Sequence, residues 1–348
     1  MFPIKFRANC PPEYQLNVHE VPIQFQEIGI HTGYRKPRCS FWQCVMSVFW
    51  PTNETLNFWT HFLPFWYFFG KFCEFYKDES FVTDSYHWPF MAYLATVCAW
   101  PMASCFAHLF GVISEEIRHI CFFVDYVALS WYSFGAATVY HAYAFDELFF
   151  DTWFSHNYLY AAAVAAFGCT FLACKSRFLS SLKARKFIRV ISFVLPFATA
   201  SLPLAERLLR RSFMKAYATE DTIQSFVTDD EAILYHSRQF FWAATGILFY
   251  GFHIPEAFFP GKFDIIGHSH QILHICGVLA TYNQLWACYA DMNSRRQLLR
   301  DSNALDSGGV DLTLVIVVLV ADLMAVVMFT IKLFNETGFK ELRELKDR

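Results

Sequence analysis

Charged side chains are scarce in this chain of 348 residues. Asp, Glu, Lys and Arg together make up 17% of it, whereas soluble proteins contain roughly 25%. The formal net charge is −3, so the chain lacks the basic excess that a nucleic-acid-binding surface requires. The composition therefore argues against a nucleic-acid partner and against an ordinary soluble domain.

Cysteine pairs with metal-site or disulfide spacing are also missing. The 11 cysteines include no CxxC pair, their number is odd, and several lie within apolar runs, so we expect reduced and mostly buried thiols. The N-terminal stretch MFPIKFRANCPPEYQLN has no apolar core of the kind that a cleaved signal peptide contains. We expect the first spanning helix to act as the targeting signal instead.

Long apolar runs, by contrast, are abundant. Hydrophobic residues make up 55% of the chain and aromatic residues 20%. A membrane-spanning helix needs about 20 mostly apolar residues, and eight stretches meet or approach this length. The sequence therefore predicts an all-α, polytopic membrane helix bundle with seven core transmembrane helices and an eighth at the C-terminus. The candidate spans are residues 58–75, 88–112, 120–145, 158–174, 190–205, 240–259, 270–290 and 312–334.

Lys and Arg, which favour the cytoplasmic side of a membrane, set the predicted orientation. With the N-terminus inside and eight spans, the basic run CKSRFLSSLKARKFIR at 174–189 is cytoplasmic. A second basic group, after the fifth span, opposes this orientation: Arg207, Arg210, Arg211 and Lys215. We predict a cytoplasmic N-terminal segment at 1–50 with an interfacial helix near 41–50, a transmembrane bundle at 51–334 and a C-terminal tail at 335–348.

Ionisable side chains at membrane depth are costly, and each is a functional candidate by default. The predicted topology places four of them in the cytoplasmic leaflet at similar depth: His108, Asp125, His270 and His274. His270 and His274 are four residues apart, so they share one face of a helix. Neutral imidazole nitrogens are natural Zn²⁺ ligands, and three of them leave a fourth position for water, as in catalytic zinc sites. The carboxylate of Asp125 would bind the metal or hold that water.

Structural interpretations compete with this one. A membrane histidine is more often a packed or hydrogen-bonded core residue than a metal ligand, and Asp125 could simply pair with Arg118 or His119. Asp322, in the middle of the last span, could form a hydrogen bond within the bundle, and we assign it no role. Six further histidines are interpreted as interface or loop residues: His61, His87, His141, His236, His253 and His268.

Several stretches resemble the progestin and adipoQ receptor family, and they occur in the family's order and spacing over most of the chain. They are GYRKP (33–37), NETLNFWTHFLPFW (53–66), SCFAHLF (104–110), RHICFFVDY (118–126) and PGKFDIIGHSHQILHICGVLA (260–280). Within the family, TDSYHWP at 83–89, the RHIC stretch and GHSHQ resemble the branch of membrane progestin receptors.

The resemblance implies seven core helices, a cytosolic N-terminus, a plasma-membrane location and a zinc site. His108, His270 and His274 match the zinc ligands of the family. Asp125 matches the carboxylate near the zinc, and Ser104 matches the hydroxyl one turn before the first histidine.

Two functions follow from this resemblance. The first is a receptor for progestin-like steroids with rapid, non-nuclear signalling that is often described as G-protein-linked. A rigid, apolar steroid suits an aromatic-lined pocket within a bundle. The chain has no Asp-Arg-Tyr at the end of the third span and no Asn-Pro-x-x-Tyr in the seventh, so rhodopsin-like coupling is not supported.

The second function is a zinc-dependent amidase acting on ceramide-like lipids, since the family resembles a wider superfamily of membrane hydrolases. Asp125 would then be the general base and Ser104 a polar stabiliser. A third interpretation is a structural zinc that ties helices together. Such a site is normally closed by four protein ligands.

Overall fold

The computed structural model describes residues 10–146, 149–217, 230–301 and 312–346, and helices dominate these ranges. Eight of the described helices are long, and we number them in chain order. Five of these, α2, α3, α4, α5 and α8, are long and apolar enough to cross a membrane, which confirms the predicted polytopic all-α bundle. The long helices are α1 (Thr55–Lys77), α2 (Trp88–Phe110), α3 (Glu115–Tyr143), α4 (Trp153–Ser176), α5 (Leu182–Tyr217), α6 (Asp230–Phe252), α7 (Ser269–Ser294) and α8 (Thr313–Lys346).

The first seven helices close into one bundle. Helices that follow each other in the chain pack side by side from α1 to α7, and α7 returns to pack against α1. α3 has more helix neighbours than any other long helix, because it contacts α2, α4, α5, α7 and α8. α8 lies against α3 and α4, on the outside of the ring that the other seven form.

Capping side chains fix the starts of two of the helices. The hydroxyl of Ser114 accepts a hydrogen bond from the backbone N–H of Ile117 at the start of α3. Thr152 forms a capping box with Ser155 at the start of α4. Each pair satisfies backbone donors that a helix leaves free at its N-terminus.

α2 and α3 approach closely at Gly135. A Cβ atom built on this glycine would lie 2.3 Å from the hydroxyl oxygen of Thr96 and 2.9 Å from its methyl carbon. Small residues allow the backbones of membrane helices to pack at short distance. This contact holds together the two helices that carry His108 and Asp125.

The sixth helix ends earlier than the apolar run at 240–259 predicts. α6 stops at Phe252, and residues 253–267 form the turns that lead to α7. Pro255 explains the difference, because proline has no backbone N–H to donate and disfavours a helical conformation of the residue before it.

The chain before α1 folds over the end of the bundle where α2 finishes and α7 begins. The buried guanidinium of Arg35 donates to the backbone carbonyls of His108 and Leu109. The hydroxyl and backbone N–H of Thr32 both donate to Asp264, in the turns before α7. The N-terminal segment is thus tied to α2 and to the turns that lead into α7.

Gly33, the first residue of the GYRKP motif, has a φ of +83°. This left-handed conformation favours glycine. A Cβ atom at this position would also lie 2.2 Å from the side chain of Ile265. The motif therefore begins with a residue that only glycine fits.

The short helix Phe41–Ser47 exposes apolar side chains on one face. Phe41, Trp42 and Met46 are exposed, whereas Cys44 is fully buried. An exposed apolar face that includes Trp and Phe is typical of a helix lying on a membrane surface. The interfacial position itself remains a prediction.

α8 presents apolar side chains on its outer face, including Ile316, Val320 and Met324. Asp322 points the other way and is fully buried. Its carboxylate lies beside the hydroxyls of Ser130 on α3 and Thr170 on α4. The carboxylate therefore faces the bundle rather than lipid, as expected for an acidic residue in a spanning helix.

Candidate metal centre

Three imidazoles converge where α2 ends and α7 begins. His108 lies in the last turn of α2, and His270 and His274 lie on one face at the start of α7. The Nε2 atom of His270 is 3.3 Å from the Nε2 atom of His108 and 3.2 Å from the Nε2 atom of His274. All three potential ligand atoms lie within 4.8 Å of one another, so the predicted cluster is formed and could hold a metal ion.

Two of the three distances between these nitrogens fit a tetrahedral ion. Zinc binds imidazole nitrogens at 2.0–2.1 Å, and tetrahedral angles then place neighbouring ligand atoms about 3.3 Å apart. The two short Nε2 distances match that value. Three protein nitrogens also leave one position of a tetrahedron open, which is the pattern of a catalytic rather than a structural site.

Outer hydrogen bonds orient two of the imidazoles. The Nδ1 atom of His108 is 2.7 Å from a carboxylate oxygen of Glu54, and the Nδ1 atom of His274 is 3.2 Å from the backbone oxygen of Asn57. Both partners are acceptors, so each Nδ1 carries the proton and each Nε2 turns its lone pair to the centre. Such partners fix the tautomer of metal-binding histidines and increase their basicity.

α1 contributes more to this centre than the sequence analysis foresaw. Glu54 directly precedes α1, and Asn57 and Thr60 lie in its first two turns; the hydroxyl oxygen of Thr60 is 3.2 Å from Nδ1 of His274. The available signal was spacing, since Glu54, Asn57 and His61 recur at intervals of three and four residues. Such intervals place side chains on one face of a helix.

The prediction that His61 lies at an interface is wrong. Its ring is buried and stacks on that of His274, with the ring centres 3.7 Å apart. The indole of Trp100 meets His61 edge-on at 4.7 Å. His61 therefore belongs to the immediate surroundings of the three-histidine cluster.

His236 is also buried rather than at an interface or in a loop. Its Nε2 atom is 2.9 Å from Asp291, which receives a second contact of 2.8 Å from Arg207. This ion cluster joins α5, α6 and α7 close to the C-terminal end of α7. It lies at the opposite end of α7 from His270 and His274.

Asp125 and Ser104 both lie inside the bundle, with side chains less than one-tenth exposed. Asp125 is close enough to His108 to interact with it electrostatically. The alternative pairing of Asp125 with Arg118 or His119 does not occur. Arg118 instead donates to Glu27 at 2.6 Å, and His119 accepts from Arg177.

Several buried polar atoms around the cluster have no hydrogen-bond partner within the described chain. They belong to four side chains: Asn57 (Oδ1), His61 (both ring nitrogens), Trp100 (Nε1) and Asp125 (Oδ1). Buried polar atoms in native proteins are nearly always paired, with protein, water or a ligand. Several such atoms lie together beside three convergent imidazoles, which is typical of a site where a ligand supplies the missing partners.

The fold and this centre define a polytopic membrane protein with a buried histidine cluster at one end of a seven-helix ring. A family model described as haemolysin-III related matches residues 49–285. That stretch contains all three histidines of the cluster, and the chain belongs to this family.

Curated relatives include membrane progestin receptors of the gamma and delta types. The chain is 40% identical over 284 residues to membrane progestin receptor gamma of Mus musculus, covering 81% of this chain and 82% of that protein. It is 41% identical over 324 residues to membrane progestin receptor delta of Homo sapiens, covering 92% and 91%. The gamma receptor of Homo sapiens is 39% identical over 285 residues. The resemblance to the progestin and adipoQ receptor family is thus confirmed.

Proposed function

We propose that this protein is a plasma-membrane receptor for progestin-type steroids that mediates rapid, non-nuclear signalling. The relatives are named membrane progestin receptors, and they align with 81% or more of the chain. The observation that carries the proposal is the group of buried, unpartnered polar atoms of Asn57, His61 and Trp100 beside the histidine cluster. A mostly apolar ligand with a carbonyl end would accept from Nε1 of Trp100, and one with a hydroxyl end would also donate to Oδ1 of Asn57.

The side chains that continue from this group suit a steroid. The ring of Tyr132 lies 5.8 Å from that of Trp100, and its hydroxyl hydrogen-bonds to Thr281 and Gln284 on α7. An aromatic surface therefore lies between two polar groups. Progestins have the same pattern, with a carbonyl at each end of a rigid apolar body. Pockets for small apolar ligands commonly combine such surfaces with a few polar contacts.

We further propose that the ion held by His108, His270 and His274 is Zn²⁺, on the cytoplasmic side of the membrane. Bound zinc would act as a Lewis acid that polarises a ligand carbonyl. Glu54 would hold His108 in the tautomer that presents Nε2 to the ion. The cytoplasmic partner is proposed to be a G protein, engaged without rhodopsin-like motifs.

Direct binding tests the receptor. The purified chain in lipid nanodiscs should bind tritiated progesterone saturably, with displacement by unlabelled progesterone and not by cholesterol. Trp100→Leu should weaken binding at least about tenfold, or about 1.4 kcal/mol. Trp153→Leu should not, because Trp153 is 79% exposed. Non-saturable binding by a folded, monodisperse protein would refute the proposal.

The second candidate is a zinc-dependent amidase for ceramide-like lipids. The observation that favours it is the unpartnered carboxylate oxygen of buried Asp125, which a general base for hydrolysis requires. Ser104, one turn before His108, would stabilise the polarised carbonyl. Sphingosine release from ceramide by the parent chain, lost in both His108→Ala and Asp125→Asn, would establish hydrolysis. If the parent chain binds zinc but releases no sphingosine, the amidase is refuted and the receptor remains the proposed function.

A further inference from the structure

Two cysteines outside the spanning helices face each other. Cys39 lies two residues before the short helix Phe41–Ser47, and Cys44 lies within that helix. Their sulfur atoms are 3.2 Å apart. All 11 cysteines of the chain are free thiols, so this is a reduced pair at close contact.

The two thiols differ in access. Cys44 is fully buried, whereas Cys39 is partly exposed. Cys39 lines a surface cavity of about 90 Å³, enough for a few water-sized molecules. The cavity is also lined by Glu13, Tyr14, Lys36, Arg38 and Gln43. A small polar oxidant can therefore reach Cys39 and not Cys44.

The two thiols also differ in reactivity. The thiol of Cys44 lowers the pKa of Cys39 to about 7 through a hydrogen bond, against the effect of burial, and the positive charge of Arg35 acts in the same direction. The same contact, with burial, raises the pKa of Cys44. Redox-sensing cysteines are typically accessible thiolates with a second cysteine beside them.

A bond between the two sulfurs needs little movement. A disulfide places the sulfur atoms about 2.05 Å apart, so each must move by about half an ångström from the present 3.2 Å. Only four residues separate the cysteines in sequence. Rotation of the partly exposed Cys39 side chain can supply that movement.

We propose that Cys39 and Cys44 form a peroxide-sensitive dithiol that closes reversibly to a disulfide. The Cys39 thiolate attacks one oxygen of hydrogen peroxide and breaks the O–O bond. This step gives a sulfenic acid on Cys39, and the departing hydroxide takes up a proton to become water. The Cys44 sulfur then attacks the Cys39 sulfur, and the sulfenic hydroxyl leaves with the Cys44 proton as a second water. The two sulfurs supply the two electrons that reduce the peroxide.

The location of this pair connects it to the metal centre. Arg35, beside Cys39, donates to the carbonyls of His108 and Leu109 and to the hydroxyl of Ser47. The Ser47 hydroxyl in turn donates to the carbonyl of Cys44. The dithiol is therefore built into the segment that covers the end of α2.

The natural tryptic cleavage sites make the test direct. Cleavage after Arg38 and Lys71 releases residues 39–71, a peptide that contains Cys39, Cys44 and no other cysteine. The full chain, reduced and then exposed to stoichiometric hydrogen peroxide, is blocked with N-ethylmaleimide and digested. The peptide should be two hydrogens lighter than the reduced peptide and should carry no maleimide. Treatment with dithiothreitol after the peroxide and before blocking should restore two maleimide labels.

Variants separate the two roles. In Cys44→Ser, dimedone should trap a sulfenic acid on Cys39, whereas in Cys39→Ser the Cys44 thiol should remain unoxidised. Alkylation of Cys39 should rise with pH and be half-maximal near pH 7, because the thiolate is the reactive form. At pH 7, Cys39 should be alkylated about tenfold faster than Cys73, which is half-buried in α1.

Two outcomes overturn the proposal, and both can be read from the unmodified chain. One is full maleimide labelling of both cysteines in 39–71 after peroxide exposure. The other is accumulation of sulfinic acid on Cys39 with no bridged peptide, which would show that Cys44 does not resolve the intermediate.

Discussion

Glu54 joins the loop before α1 to the histidine cluster through a single short hydrogen bond. Its carboxylate is 13% exposed and lies 2.7 Å from Nδ1 of His108. The pairing arises only because α1 packs beside α2. The spacing of Glu54 from Asn57 and His61 places it on one face with them, but the sequence does not show that this face packs against α2. The histidines could therefore be predicted and their partner could not.

Substitution of Glu54 by Gln tests the contribution of this partner. The amide keeps the shape and loses the charge, so the zinc affinity should fall about 10–100-fold, the usual effect of removing such a partner. Competition with a chelator of known affinity measures it. Glu74→Gln is the matched control, because Glu74 lies in α1, the helix that Glu54 precedes, is 62% exposed and pairs with Lys71. Equal affinities for the two variants would contradict the assigned role.

His61 and the pair His270 and His274 show what sequence can and cannot provide at a site. A spacing of four residues is enough to place His270 and His274 on one helix face, and the structure confirms it. The stacking of His61 on His274 depends instead on the packing of α1 against α7. Contacts between helices of distant sequence position are not encoded in local spacing.

Among the secondary-structure elements, α2 and α3 can approach closely because residue 135 is a glycine. Gly135→Ala should destabilise the fold by about 1–3 kcal/mol, the usual cost of adding a methyl group to a packed interior, because the new carbon would clash with Thr96. The loss of stability is measured as a lower unfolding temperature in detergent, with size-exclusion chromatography as the readout of folded protein.

Gly168→Ala in α4 provides the comparison. A Cβ atom at Gly168 meets no atom within 4 Å, so this variant should unfold at the parental temperature or slightly above it, since alanine favours helix. If Gly135→Ala is as stable as Gly168→Ala, the close approach of the two helices does not constrain the fold.

The helices themselves were largely predictable, because apolar runs of spanning length have few alternatives in a membrane. The error at the end of α6 came from counting apolar residues beyond Phe252 and giving too little weight to Pro255. α1, α6 and α7 are long but less apolar than the five candidate spans. Two of these three helices supply histidines to the site or its surroundings.

For the whole molecule, the proposed zinc ion should stabilise the folded state, because its ligands come from both α2 and α7. A ligand present at one hundred times its Kd stabilises the folded state by about 2.7 kcal/mol. Removal of zinc with a chelator should therefore lower the unfolding temperature, and added zinc should restore it. The unfolding temperature of His108→Ala should already be low and should not respond to the chelator.

The predicted orientation can be tested in intact cells. With the N-terminus inside and eight crossings, epitope tags at both ends should bind antibody only after the plasma membrane is permeabilised. A tag inserted between α3 and α4 near residue 151, which is exposed, should be labelled without permeabilisation. Labelling of the N-terminal tag in unpermeabilised cells would reverse the orientation.

α8 packs against α3 and α4, while the histidine cluster and its hydrogen-bond partners come from α1, α2, α7 and the loop before α1. A chain that stopped after α7 would keep every one of these residues. With the predicted eight crossings, however, its last residues would emerge in the opposite compartment, because the number of crossings would change from even to odd. α8 would thus determine the side of the membrane on which the C-terminus lies. A lineage could gain or lose this helix without any change to the residues of the centre.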